Sequence, residues 1–470
     1  MYKIFLSIPI ALLLVGCSFK PDLNAPAYDN LPSSYDGEKS SSEPINKEWW
    51  KGFKDPVLDE MIDEAFRYNS DLLLAAANVA EARATLDLDR ANQYPSLDAE
   101  AKGSRSKRSE QTFPQSPGKT TFNNFGLSAI LSYELDLWGK LSSQKEASEA
   151  ILEASRANRD AIKLALASDV ASSYFTLIAL KEQKSVAQKT YSSQKESYEY
   201  YKKQYDNGLV DELTLMQSLA ELDSTEAALE SIKLQEELQN RALKILIGKS
   251  PQEIITSTQL TDIDALSDVP KIADVPVGMP SSLLERRPDI RASLEQLRAA
   301  NASVGVARAN YFPSISLSGV FGGESEALKN LFVSDAQIWN LAGSATMPLV
   351  DFGRVSAGVE SAKAQKEYAL ISYQKSVKNA FKEVMDALNT QSSSKKRSMI
   401  SKRQVETLQK SLNLSKKRFD AGYTSYLEVL DSQRGLFSAE LQSVSNNLDV
   451  INSTITLYKA LGGGWNVESK

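Results

Sequence analysis

Residues 140–207 read KLSSQKEASEAILEASRANRDAIKLALASDVASSYFTLIALKEQKSVAQKTYSSQKESYEYYKKQYDN, 68 residues with no Gly and no Pro. Ala and Ser fill 21 of the 66 positions from 141 to 206, and Leu, Lys, Glu and Gln supply much of the rest. Nothing in this composition breaks a helix. Unbroken, it would be roughly 100 Å long. A globular enzyme has no use for such an element. A coiled-coil rod, an adaptor or the wall of a tube does, and the small side chains let helix backbones approach closely.

The pattern returns further on. Trp138-Gly139-Lys140 is matched by Phe352-Gly353-Arg354, Tyr205-Asp206-Asn207-Gly208 by Phe419-Asp420-Ala421-Gly422, and Gly248 by Gly462, all at an offset of 214. Upstream, RANQYPS (residues 90–96) is matched by RANYFPS (308–314), and Asp71 by Asp289, at an offset of 218. Chance matches do not hold one offset over so long a span. The chain is two copies of one unit, the second four residues shorter between Pro313 and Phe352. Length differences of this kind collect in exposed loops.

Each unit reads in the same order. A first helix (71–93; 289–311) starts at Ser70, read as an N-cap, or with Pro288 in its first turn. Pro95 and Pro313 stop it. Two alternating stretches follow, then the long helix (141–206; 355–420), then a turn at Gly208 or Gly422, where Gly suits a C-cap. A return helix (211–247; 426–461) closes the unit at roughly 55 Å. In the alternating stretches Leu97, Ala99 and Ala101 interleave with Asp98, Glu100 and Lys102. The apolar positions from Phe125 to Leu137 interleave with residues that include Ser128, Ser132, Glu134 and Asp136. Ile315, Leu317 and Phe321 interleave with serines, and Trp339, Leu341, Ala345 and Met347 with Asn340, Ser344 and Thr346. Period two with one apolar face is the pattern of a lipid-facing barrel strand, and also of an ordinary half-buried hairpin.

The N-terminus favours the membrane. Lys3 precedes a short apolar run (4–15), too short to span a bilayer and apt for a secretory signal. The run ends in LVGC at 14–17, and Cys17 is the only cysteine of the chain. Small residues before a lone Cys resemble a lipoprotein cleavage box, so Cys17 is the expected lipid-attachment site, with about 0.8 kcal/mol of anchoring per buried CH₂. Ser18 rather than Asp resembles the outer-membrane class of lipoproteins. The expected organisation is a signal peptide (1–16), a lipidated tether and docking segment (17–60) whose Trp49, Trp50, Phe53 and Leu58 pack onto the body, repeat 1 (61–248), a linker (249–280), repeat 2 (281–462) and a tail (463–470). Four strands cannot close a barrel, and open edges are not tolerated in lipid. The barrel must be shared: two chains give eight strands, three give twelve and room for a lumen.

Composition excludes much else. There are 54 basic and 60 acidic residues, a net charge of −6, and no basic excess for nucleic acid. No run of 18 apolar residues marks a membrane-spanning helix. There is no histidine, so His-dependent catalysis and His- or Cys-built metal sites are absent. The chain reads as a non-enzyme, without catalytic residues, cofactor or metal centre.

At this point the residues are recognisable. WWKGFKDPVL (49–58), LERRPDI (284–290), PLVDFGR (348–354) and YLEVLDSQRGLF (426–437) resemble the outer membrane factor family, the TolC and OprM type of exit duct, over nearly the whole chain. The motifs look most like the branch serving RND-type multidrug efflux pumps. The resemblance implies a mixed, mostly α fold with long helical hairpins forming a periplasmic α-barrel. It also implies a homotrimer whose four strands per chain build a twelve-stranded transmembrane β-barrel in outer-membrane lipid. A periplasmic adaptor protein and an inner-membrane RND pump are the implied partners. The duct itself consumes no energy. Glu428 and Asp431 fall where the family carries acidic residues around the periplasmic aperture, and Leu427 and Arg434 match an apolar constriction and a basic partner. Leu427, Asp431 and Arg434 are spaced i, i+4, i+7 and share one helix face, with Glu428 one step around. The first repeat has Thr214 and Gln217 at the positions of Glu428 and Asp431, so only the second carries the acidic pair. An ordinary solvated helix face has the same spacing. Lys416, Lys417 and Arg418 lie near the tip as a second adaptor-facing candidate, and Tyr198, Tyr200, Tyr201 and Tyr205 are read as inter-helix packing. Within the family, a metal-ion efflux or type I secretion duct is the alternative. Outside it, the alternative is a lipid-anchored periplasmic coiled-coil adaptor, which the two hairpins and repeated strand pairs oppose.

Overall fold

The computed structural model describes residues 19–23, 26, 32, 34–35, 48–109, 111, 120–256, 260–261, 263–266, 275, 283–284 and 286–463. The signal segment and Cys17 lie outside them. The helices are α1 (Pro56–Tyr68), α2 (Ser70–Ala91), α3 (Lys140–Asp206), α4 (Glu212–Leu246), α5 (Pro251–Ile255), α6 (Pro288–Ala309), α7 (Arg354–Asp420) and α8 (Tyr426–Ala460). The strands are β1 (Ser96–Lys107), β2 (Thr121–Leu135), β3 (Ser314–Ser325) and β4 (Gln337–Thr346). Corresponding helices of the two repeats have equal lengths: 22, 67 and 35 residues. The internal repeat is therefore a repeat of structure.

The chain divides into two compact units, one holding the strands with the helix ends beside them (1–26, 78–156, 292–374), the other the rest (27–77, 157–291, 375–470). In the strand-bearing unit all four strands form one antiparallel sheet in the order β1-β2-β3-β4. Its register runs without a bulge. Leu97 faces Leu131, Ala129 faces both Ala99 and Phe321, Leu317 faces Tyr133 and Gly343, and Phe321 faces Trp339. Side chains alternate along each strand, so this register puts most of the large apolar residues, among them Leu97, Leu131, Leu317, Phe321, Trp339 and Leu341, on one face, while Phe122, Ile130, Val320 and Ile338 fall on the opposite one. Serines, Asp98, Glu100, Lys102, Glu134 and Glu324 also lie on that opposite face. The apolar face is uncovered over most of its extent, with Leu97, Phe321, Trp339 and Leu341 all exposed. β1 and β4 each have one neighbour. The strands extend beyond the alternation read from sequence, β1 to Lys107 and β2 back to Thr121, because Ser, Asn and Thr continue the ladder there.

Both long helices start on a carboxylate. Asp136 accepts from the Leu141 and Ser142 amides at 3.0 and 2.7 Å. Asp351 accepts from the Gly353 and Val355 amides at 3.0 and 2.9 Å. Each satisfies amide donors that the helix start leaves free, and those bonds hold the Asp351 carboxyl below its ordinary range. Residues 19–22 dock on the same unit. Phe19 stacks on Phe312 at 4.3 Å, Lys20 pairs with Glu146 at 2.5 Å, and Asn301 donates to the Pro21 carbonyl at 2.8 Å. The described start of the tether is thus strapped to the body.

In the other unit Trp49, Trp50 and Phe53 are buried. Trp49 stacks on Tyr458 at 5.2 Å, and Phe53 meets Phe175 at 4.6 Å. α1 was not foreseen and runs across the boundary placed at residue 60. Asp55 caps it by accepting from the Val57 and Leu58 amides, and the Tyr174 hydroxyl donates to the same carboxylate at 2.7 Å. The N-cap of α2 is Asn69 rather than Ser70. Its side-chain oxygen accepts from the Asp71 and Leu72 amides, and its amide donates to the Leu246 carbonyl at 2.9 Å. Asn caps as well as Ser, and here it also ties off the end of α4. One window of α3 is apolar enough for a membrane span, at mean hydropathy 1.3, but 56% of it is buried inside the protein. Its Val170, Tyr174, Phe175 and Ile178 are core residues.

Candidate functional site

The turn between each long helix and its return helix uses one backbone device. Gly208 and Gly422 adopt φ of 70° and 77°. Each glycine amide donates to the carbonyl three residues back (Tyr205, Phe419), and the next amide to the carbonyl five back (Gln204, Arg418). This pairing satisfies the last carbonyls of the helix and needs a left-handed residue. A Cβ at either glycine would meet nothing within 4 Å, so the backbone conformation alone asks for Gly.

Aromatic packing holds the second turn. The Tyr201 ring of α3 lies 4.5 Å from that of Tyr426 on α8 and 6.2 Å from that of Phe419 on α7. Leu412, Val429, Leu430 and Leu436 complete the cluster. Burial pushes the Tyr426 phenol up to about 12, with the Glu221 charge adding to the rise and Arg434 opposing it. Burial also raises the Tyr201 phenol. Of the four tyrosines read as packing residues, Tyr201 is buried, whereas Tyr200 and Tyr205 are exposed.

Leu427 (50% exposed), Asp431 and Arg434 share an exposed face of α8, as their spacing predicts. Glu428 does not open onto that face. The Arg418 guanidinium donates to one of its carboxylate oxygens at 3.1 Å, and the Thr424 hydroxyl donates to the other. Arg418, read as an adaptor-facing cation, is thereby paired inside its own hairpin. Among the described residues Asp431 forms no ion pair. Arg434 reaches across the repeats: its Nε donates at 2.5 Å to Glu221 on α4. The Glu221 side chain is 6% exposed and that of Arg434 54%. Reading the sequence missed Glu221. Its signal is a charged residue inside a buried stripe, since Leu215, Ser218, Glu221, Leu222, Thr225, Leu229 and Ile232 are all buried at helical spacing.

A second buried charge lies near the α6 start. Arg287 donates to Asp289 at 3.0 and 2.6 Å and to the Ala460 carbonyl at 3.0 Å, and pairs with Glu383 at 2.7 Å. The RRPD motif therefore joins three helices of the second repeat. Asp289 and Glu383 keep the guanidinium charged against the cost of its burial.

A sheet with one face fit for lipid, carried on paired helical hairpins, defines an outer-membrane channel of the efflux type. The chain belongs to the outer membrane efflux protein family, whose model matches residues 61–249 and 279–463. It is 34% identical over 479 residues to the solvent efflux pump outer membrane protein SrpC of Pseudomonas putida, covering 98% of this chain and 99% of that one. It is 33% identical over 465 residues to the cation efflux system protein CusC of Escherichia coli, covering 97% of each. Among solved structures it is similar to the Campylobacter jejuni CmeC outer membrane channel, at 31% identity and a TM-score of 0.91, covering 97% of this chain and 96% of that one. The protein is an outer-membrane exit duct for efflux, extending into the periplasm, in a family of channels.

Proposed function

We propose that this duct serves a tripartite RND-type multidrug pump as a passive homotrimer. Three copies pair β1 to β4 around a twelve-stranded barrel, and the turns at Gly208 and Gly422 form its periplasmic end. Contact with an adaptor and an inner-membrane pump opens that end. Leu427 narrows the aperture, Asp431 sets its charge while Glu428 braces the turn through Arg418, and Arg434 holds α8 closed through Glu221. Cys17 carries the lipid that anchors the N-terminus, and the chain is organised as a tether that ends in α1, a first repeat to residue 248, a linker (249–280) and a second repeat (281–462). The observation that carries this reading is the sheet, mostly apolar on one exposed face and open at both edges, because lipid tolerates strands only in closed barrels. The multidrug assignment rests on the LERRPDI and PLVDFGR motifs. A cation cargo is the second reading, favoured by the likeness to CusC.

Purified protein in detergent, weighed intact and imaged as single particles, tests the assembly. A three-fold particle with a detergent belt at the sheet supports the proposal, and a monomer without a belt removes it. Deleting the gene and scoring susceptibility to organic drugs and to a panel of metal salts separates the two cargo readings.

A further inference from the structure

We propose that the outer face of the sheet carries a binding site for a phosphate-bearing, multiply acylated lipid of the outer leaflet. The site rests on the barrel reading above. It combines an apolar groove with two cations that are unpaired among the described residues, on the same face of the sheet.

The groove comes from a loop folded back on the sheet. After β3 the chain continues as 326–336, and Leu331 and Ala336 are buried. A Cβ at Gly323 would stand 2.6 Å from the Leu331 carbonyl oxygen, so only glycine lets the loop lie this close. Between loop and sheet is a cavity of about 530 Å³ lined by Ala99, Leu127, Ala129, Phe321, Leu331 and Phe332. That volume lies within the range of small-molecule sites, roughly 300–1,000 Å³. Phe332 is 82% exposed at its rim.

The cations lie further along the same face. Register places Ala99, Ala101, Gly103, Arg105 and Lys107 of β1 on the apolar side. The Phe125 ring covers Gly103, within 3.7 Å of where a Cβ would stand. Beyond it Arg105 and Lys107 are exposed and, among the described residues, unpaired. The neighbouring cations differ. Lys102, on the polar face, pairs with Glu100 at 2.6 Å, and Arg108 lies over the Phe122 ring. Arg105 follows Ala101 by four residues, about 13 Å at strand rise. Acyl chains in the groove would thus set a headgroup phosphate beside the two charges. A neutral lipid uses the groove alone, and a soluble anion the charges alone. The composite selects a lipid with both.

The hairpin ends lie away from the helices, so they face outward when the helices hang in the periplasm. Lipid A, a bisphosphorylated and multiply acylated glycolipid, is the probe. Full-length protein in phosphatidylcholine nanodiscs is titrated with lipid A or its dephosphorylated form, and bound lipid is counted by native mass spectrometry. Failure to enter the nanodisc defeats the barrel reading, whereas entry without lipid preference defeats only this site. We expect the double variant Arg105→Gln/Lys107→Gln to lose about thirty-fold in lipid A affinity, two surface charges' worth. Its affinity for the dephosphorylated form should not change. Phe332→Ser, outside the strands, should weaken both forms. Equal binding of both forms to the wild type, or full competition by inorganic pyrophosphate, would overturn the proposal.

Discussion

The Arg434–Glu221 pair permits a prediction with both direction and size. The perturbation is Arg434→Met, which keeps an apolar stem while removing the charge. A fully exposed pair is worth about 0–1 kcal/mol, and breaking a fully buried one costs about 3–5. This pair straddles those limits, with Glu221 at 6% exposure and Arg434 at 54%. Discounting for the solvated guanidinium leaves about 1–2 kcal/mol of coupling. The exposures also make the two single variants unequal. Without Arg434, Glu221 remains a buried carboxylate whose charge lacks a partner, which is the costly case. Without the Glu221 charge, Arg434 is solvated where it stands. Arg434→Met should therefore cost more than Glu221→Gln, and the double variant should cost less than Arg434→Met, because it no longer leaves a buried charge without a partner. Thermal unfolding of the full chain in detergent measures these costs. Single-channel recording in a planar bilayer measures their effect on the tip, where about 1–2 kcal/mol shifts an opening equilibrium roughly 5- to 30-fold. A coupling below about 0.3 kcal/mol, the limit of additivity for independent sites, would refute the reasoning. So would Glu221→Gln proving the more damaging change.

Three further outcomes are expected. Asp431→Ala, which removes an exposed carboxylate with no ion pair among the described residues, should raise open-channel time and weaken cation preference; unchanged reversal potentials in asymmetric KCl would contradict its role at the aperture. The Tyr426 phenol has a folded value of about 12 against an ordinary 10.0, so its contribution is complete below pH 10 and is lost as pH rises from 10 through 12; ultraviolet titration of Tyr426→Phe should lack one late-ionising phenol, and an unaltered curve would count against the burial. Gly208→Ala meets only left-handed strain of about 1–2 kcal/mol, whereas an Ala Cβ at Gly248 (φ 76°) would sit 2.5 Å from the Tyr68 backbone; Gly248→Ala should lower the melting temperature well beyond Gly208→Ala, and equal shifts would show that the Tyr68 contact yields.

Legibility in the sequence follows the range of the interaction. The long helices were readable to within a residue because their limits are local: Gly208 and Gly422 end them through their own φ, and the runs that fill them are broken by Gly358 alone. The two-faced strands were readable because one alternation runs through all four, and a one-residue slip would invert a whole face. What escaped was set by contacts distant in sequence. Asn69 displaced Ser70 as the cap because its amide also binds the Leu246 carbonyl, 177 residues away. α1 escaped because the clustered aromatics before it look like a docking segment, and its Asp55 cap is completed by Tyr174, 119 residues on.

The tip residues show the same division. That Leu427, Asp431 and Arg434 share a face follows from spacing alone. Their unlike situations do not. Glu428 is paired with Arg418 and Thr424 because the Gly422 turn folds α7 back against α8, bringing residues ten apart into contact. Arg434 meets Glu221 across 213 residues, and the two do not occupy equivalent repeat positions. Repeat symmetry, the strongest guide to the fold, could therefore not reveal this pair. The offset that matched the two turns assigns Ala220 to the position of Arg434 and Gly435 to that of Glu221. The ion pair depends on this asymmetry, since a second copy of the same residues would have joined the hairpins twice. The difference lies in one charge placed within an apolar stripe.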